Sequence, residues 1–122
     1  MARRNSDSLR QNVGAILRQY GERAAQAARE ALLENGATVA EEAKSRVPVD
    51  TGRLRDSIHV EQKGADKVRI VADAKSEDGY HYGRLVEYGP HGKPFMRPAL
   101  AAKREELKQH TLDKIREAIT QN

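Results

Sequence analysis

The sequence predicts an α+β protein in a single domain over residues 1–122: a long N-terminal α-helix, a small antiparallel β-sheet and a C-terminal α-helix. Three observations carry that prediction. Apolar residues recur at three- and four-residue steps from Ser8 to Val47, and more loosely from Pro98 to Thr120. Between these stretches, two short runs alternate apolar and polar residues around a turn-forming tract. Prolines sit where the helices must stop or start.

The first helix, about residues 8–46, takes its apolar face from Leu9, Val13, Ile16, Tyr20, Ala24, Ala27, Ala31, Val39 and Ala43, with Ser6, Asp7 or Ser8 available as its cap. Pro48 lacks an amide hydrogen and biases Val47 away from helical angles, which sets the end near Arg46. Unbroken, such a helix would run roughly 57 Å at 1.5 Å per residue, against roughly 35 Å for the diameter of a compact chain of this size. Either Gly14, Gly21 or Gly36 breaks it, Gly36 being best placed after "LLEN", or an alanine-rich arm projects and packs on neighbouring copies.

The β region spans about residues 57–89. Ile58 and Val60 alternate with His59 and Glu61, and Val68, Ile70 and Ala72 with Arg69, Val71 and Asp73. Gly64 and Asp66 in the intervening "KGADK" suit a hairpin loop, so the two runs form an antiparallel pair with one face on the helices. "YHYGRLVEYG" fits a third strand through Tyr80, Tyr82, Val86 and Tyr88, or a short helix through Tyr82, Leu85 and Val86. Three prolines and a glycine make "PHGKPFMRP", residues 90–98, an extended, semi-rigid loop. Pro98 then opens the last helix, about 98–120, whose apolar positions are Leu100, Leu107, Leu112, Ile115 and Ile119.

Composition limits what this architecture can do. Seventeen alanines, one phenylalanine and no tryptophan give a thin core, and with no cysteine there is no disulfide to reinforce it, so neighbouring subunits are an expected source of stability. The absence of cysteine also excludes thiol catalysis and zinc–thiolate sites and fits a reducing compartment. "MARRNSDS" has arginines but no apolar stretch after them, and nowhere do 18 apolar residues run together, so neither a signal peptide nor a membrane span is expected. The net charge of +4 would suit nucleic acid, yet cations and acids interleave, as in "KREELKQHTLDKIRE", which reads as a solvated helix face.

Candidate chemistry is sparse. Asp50-Thr51-Gly52 has the composition of an aspartic-protease loop. In that enzyme, however, two such aspartates approach between apolar strands and share a proton, whereas Arg53 follows here and the flank is helical. A structural reading fits better: Asp50 or Thr51 caps a helical turn in "GRLRDS", Leu54 turns inward and Gly52 relieves the backbone. His59, His81, His91 and His110 show no metal-binding spacing, and "EYGPHGKP" lacks the Lys-Ser or Lys-Thr of a phosphate loop. Glu87 has no second carboxylate beside it and reads as an ion-pair or capping residue, with Arg84 or Arg97 as partner. Tyr80, Tyr82 and Tyr88 read as a half-buried strand face before they read as a base-stacking platform.

Three segments in series, "PVDTGRLRDSI", "YGRLVEYG" and "KPFMRPAL", together resemble the tail-completion, or head-to-tail joining, proteins of long-tailed bacteriophages and prophages. The resemblance covers Val47 to Leu100. Asp50, Thr51, Gly52, Leu54 and Ser57 match the first family motif, Tyr82, Glu87 and Gly89 the second, and Pro94, Phe95, Arg97, Pro98 and Ala99 the third. Pro90 departs from the family, which commonly has threonine after that glycine.

The resemblance implies a structural virion protein without catalysis, cofactor or metal. It would form a cyclic ring, six copies in the assembled particle, in the neck between capsid and tail tube. Its partners would be copies of itself and the adjacent neck, head-completion and tail-terminator or tail-tube proteins, with genomic DNA passing through the lumen without specific binding and no membrane involved. The implied location is the virion, and the bacterial host cytoplasm during assembly. Phe95, Met96 and Arg97, presented on the proline-stiffened loop, are the expected anchors, with Phe95 as a core residue the competing expectation. The other function classes open to the chain are a small basic nucleic-acid-binding module and a dimeric protease using Asp50-Thr51-Gly52.

Overall fold

A computed structural model describes residues 3–120. In chain order the elements are β1 (Asn5–Arg10), α1 (Val13–Tyr20), α2 (Glu22–Arg46), α3 (Arg53–Asp56), β2 (Ile58–Lys63), β3 (Lys67–Ala72), α4 (Gly83–Tyr88) and α5 (Met96–Thr120). The α+β class holds, with long helices towards both ends and a three-stranded antiparallel sheet of order β1-β3-β2.

The third strand is the main departure from expectation. Residues 5–10 do not begin the first helix. They pair with β3, from Asn5 opposite Ala72 to Arg10 opposite Lys67, and so complete the side of β3 that the predicted hairpin leaves open. A waiting strand edge outweighs a local helical pattern, because strand formation is decided by pairing and face burial more than by intrinsic preference. Residues 83–88 accordingly form the short helix α4, the second of the two alternatives for that segment.

The predicted hairpin is present, with Gly64 in the left-handed region at φ +72°. Its tip also fixes the chain's entry: the Asp66 carbonyl accepts from Gln11 N–H at 2.8 Å and its carboxylate from Val13 N–H at 3.3 Å. Asn12 caps α1 by accepting from Ala15 N–H.

The helical stretch breaks at Gly21, where φ is +90°, and not at Gly36. Gly36 lies inside α2 because the helix crosses the sheet there. A Cβ at this position would stand 3.1 Å from Val60 Cγ1 and 3.2 Å from Val68 Cγ2. The remaining 25-residue helix is roughly 37 Å long. It does not project as a free arm, since all of its alanines except Ala37 are buried and α5 runs along it. Lys103 meets Glu42, His110 meets Glu34, and Lys114 meets both Glu34 and Glu30, so the two helices are antiparallel. Asn35, a buried amide, fixes their register by donating to the Leu107 carbonyl at 3.3 Å and to Thr111 Oγ1 at 2.9 Å. The core lies between this helix pair and the inner face of the sheet, around Val39, Leu54, Ile58, Ile70, Phe95 and Met96.

The outer face of the sheet carries an ion cluster. Arg4 reaches Glu61 at 2.9 Å and Asp73 at 3.8 Å, tying the start of β1 to β2 across β3. Arg4 first, and then His59, hold the Glu61 carboxyl down to about 2 from 4.5. Stabilisation from that shift is complete above the unfolded value and is lost as pH falls from 4.5 towards 2. His59 runs the other way: its hydrogen bond to the Ser57 carbonyl, with help from Glu61, raises it above 6.5. Its contribution is therefore present below pH 6.5 and is lost as pH rises through the raised folded value. We predict that the difference in urea midpoint between the wild type and Arg4→Ala is at its full width above about pH 5 and narrows steadily on acidification towards pH 2. A difference that stayed constant over that range would show that Arg4 does not act through the Glu61 charge.

Candidate interaction surface

The first motif is a hinge between α2 and α3. After Val47, which is buried and extended, the chain exposes Val49, Asp50 and Thr51 and turns at Gly52, where φ is +84°. Thr51 Oγ1 accepts from Arg53 N–H at 3.3 Å, Leu54 turns into the core, and Ser57 Oγ donates to the Leu54 carbonyl at 2.7 Å. The N-cap position of this turn is Gly52, so neither Asp50 nor Thr51 is its cap; Thr51 instead makes this local bond just ahead of the helix. Asp50 is exposed at a bend between two helices, so it lacks the strand setting in which two carboxylates could share a proton.

The second and third motifs meet through Glu87. The helix α4 starts close against β1 and β3: a Cβ on Gly83 would lie 3.2 Å from Asn5 Cβ and 3.3 Å from the Ala72 carbonyl oxygen. Four residues on, the buried Glu87 carboxylate faces the start of α5. Its Oε1 accepts from Phe95 N–H at 3.2 Å and Met96 N–H at 2.8 Å, and its Oε2 from Arg97 N–H at 3.2 Å. Pro98 has no donor, and Ala99 N–H reaches the Phe95 carbonyl, so every amide of the first turn is accounted for. A carboxylate at a helix N-terminus also meets the positive end of the helix dipole. Asn5 Nδ2 adds a fourth bond to Oε1 at 3.3 Å, which brings β1 into the same junction.

The loop between α4 and α5 can reach this position because it folds back tightly. A Cβ on Gly89 or Gly92 would run into the Leu85 and Val86 carbonyl oxygens at the end of α4. Glu87 is thus the capping residue that its isolation predicted, but its partners are backbone amides and Asn5, not the guanidinium of Arg84 or Arg97. The last helix begins at Met96, two residues before Pro98, because this cap replaces the bonds that its first amides lack.

The junction corrects the expectation for the loop. Phe95 and Met96 are not presented on an exposed loop: they are fully buried, Phe95 being the largest such side chain. Glu87 holds their amides at the core boundary, and their side chains fill a core short of other bulky residues. Arg97 remains exposed.

What the junction does present is the outer face of α4. Leu85 is 61% exposed and Tyr88 52%. The Arg84 guanidinium lies 5.2 Å from the Tyr88 ring centre and that of Arg97 5.9 Å, so two helices supply cations to one aromatic ring. Tyr80, Tyr82 and Tyr88 form no common strand face: Tyr80 and Tyr88 are exposed and Tyr82 is half-buried at the start of α4.

Comparison with protein families matches residues 6–89 to the model described as "Bacteriophage HK97-gp10, putative tail-component". The chain belongs to the HK97-gp10-like family. The match takes in the first two motifs and ends at Gly89, leaving the Pro90 departure and the third motif outside it. No curated protein and no solved structure matches the chain. Membership makes it a bacteriophage tail component, with a place in the virion and contacts to other virion proteins. Among the described residues no helix is long and apolar enough to cross a membrane.

Asn5 carries no sequence signal, because polar residues alternate with polar residues in "NSDS". Leu85 was visible only as one reading of an ambiguous segment. We predict that Glu87→Gln, which turns an acceptor oxygen into a donor facing amides, costs about 1.5–3 kcal/mol by chemical denaturation. Phe95→Ala should cost about 3–5 kcal/mol through the cavity it opens. A loss under about 0.5 kcal/mol for Glu87→Gln would show that the α5 amides are satisfied without the carboxylate.

Proposed function

We propose that this chain is a structural virion protein of a long-tailed phage or prophage, forming a closed ring in the neck that completes the tail and joins it to the DNA-filled head. Membership of a tail-component family supports the virion role. The observation that carries the finer reading is the exposed face of α4, where Leu85 and Tyr88 are presented by a helix whose end is locked to α5 and β1 through Glu87. Tyrosine and arginine are frequent interface anchors, and a rigid scaffold reduces the ordering entropy lost on docking. In this reading Leu85, Tyr88 and Arg97 contact an adjacent neck, head-completion or tail-terminator protein. Asp50, Thr51, Gly52, Leu54 and Ser57 shape the hinge, and no step of catalysis is involved. The chain assembles in the host cytoplasm, and DNA passes through the ring without sequence readout.

The Tyr88 ring between two guanidinium groups also favours a second reading, a base-stacking nucleic-acid module. The two readings separate experimentally. Tyr88→Ala and Arg97→Ala should leave the thermal midpoint of the isolated chain nearly unchanged while filled heads and finished tails accumulate unjoined under the electron microscope. Normal joining by both variants would remove this face from the mechanism, and absence of the protein from particles would remove the neck assignment. Tight DNA binding that falls steeply with salt and is lost in the same variants would establish the nucleic-acid reading instead.

A further inference from the structure

The ring reading leaves open which surfaces of neighbouring copies meet, and two faces of this protein complement each other. One is a trough of about 470 Å³ between β1 and α5. Leu9, Leu32, Leu100, Leu107 and Leu112 line it with apolar surface, and Arg10, Arg104 and Lys108 supply charge; among the described residues no acidic side chain lines it. The other is the outer face of α2. From Glu30 to Glu41 that helix contains no lysine or arginine, and its exposed positions there include Glu30, Leu33, Glu34, Ala37 and Glu41. Leu33 is 40% exposed, as is Leu112 in the trough.

At roughly 100° per residue, Leu33, Ala37 and Glu41 point away from Leu32 and Asn35, the α2 residues that border the trough. The acidic stripe and the basic trough therefore lie on opposite sides of α2. Within one copy, Lys114 touches Glu30 at 3.4 Å and Glu34 at 3.0 Å, and Lys44 touches Glu41 at 3.4 Å. Exposed pairs of this kind are weak and leave the carboxylates available to further cations.

We infer that the acidic outer face of α2 in one copy seats in the basic-rimmed trough between β1 and α5 of the next. Leu33 then covers the apolar floor beside Leu112, and Glu30 and Glu41 approach Arg104 and Lys108. Two different patches on opposite sides make the contact heterologous, the kind that closes into a ring when its rotation allows. The inference rests on the ring reading above, but its test is separate.

The chain has no cysteine, so single cysteines report contacts without background. Leu33→Cys and Leu112→Cys proteins, mixed at high concentration and mildly oxidised, should give a disulfide-linked dimer that neither gives alone. The chain carrying both should give a ladder, in solution and in isolated particles. Adding Arg104→Glu and Lys108→Glu to the Leu112→Cys chain should reduce the linked fraction at least tenfold, and Glu30→Lys with Glu41→Lys on its partner should restore it. Absence of the mixed link, equal linking by Leu33→Cys alone, or indifference to charge reversal would overturn the inference. If electron microscopy still showed a ring of this chain in such particles, the ring reading would survive that failure. Particles with no ring of this chain would overturn the ring reading, and the inference with it.

Discussion

The carboxylate of Glu87 is the contact through which distant parts of this protein are joined. It belongs to a six-residue helix that could not hold itself in place, since so short a helix has few internal bonds. By accepting from three consecutive amides at the start of α5 and from Asn5 it ties that helix to the first strand and to the last helix at once. A neutral side chain could take some of these bonds. Only a carboxylate offers enough acceptor sites for all four and adds favourable charge at the helix end.

The same junction compensates for a poor core. With so few large apolar residues, the chain cannot leave Phe95 and Met96 outside, and the capped turn places both under the helix pair. Alanine serves the rest. It allows α2 and α5 to lie close together, and Gly36 does the same for α2 against Val60 and Val68 of the sheet. Close backbone approach takes the place of side-chain bulk. The resulting surface is rich in charge at the helix seam, where Lys103, His110 and Lys114 meet α2 carboxylates.

Much of this was legible in the sequence where a local rule decides the outcome. Pro48 ended a helix, Gly64 turned a hairpin, and the alternation at Ile58–Val60 and Val68–Ala72 identified its strands. Where the deciding term was long-range, local pattern failed. Residues 5–10 joined a sheet edge more than 50 residues away, and Gly36 stayed helical because of a sheet that its own neighbours do not reveal. Phe95 was ambiguous for a related reason. Its flanking prolines stiffen the loop in either case, and only the acceptor supplied from Glu87, eight residues back, decides that the side chain faces inward. The residue types of Leu85 and Tyr88 were plain, but their exposure depended on the helix-or-strand choice for their segment.

A rigid junction that presents α4 requires the Glu87 bonds to persist in solution, and native-state hydrogen exchange at the amides of Phe95, Met96 and Arg97 reports on them directly. Those three amides should exchange only through global or near-global opening, with protection close to that of the central strand β3 and markedly reduced in Glu87→Gln. Rapid exchange at all three, at rates typical of the exposed loop before Pro94 while β3 stays protected, would contradict the clamp and the rigid surface built on it.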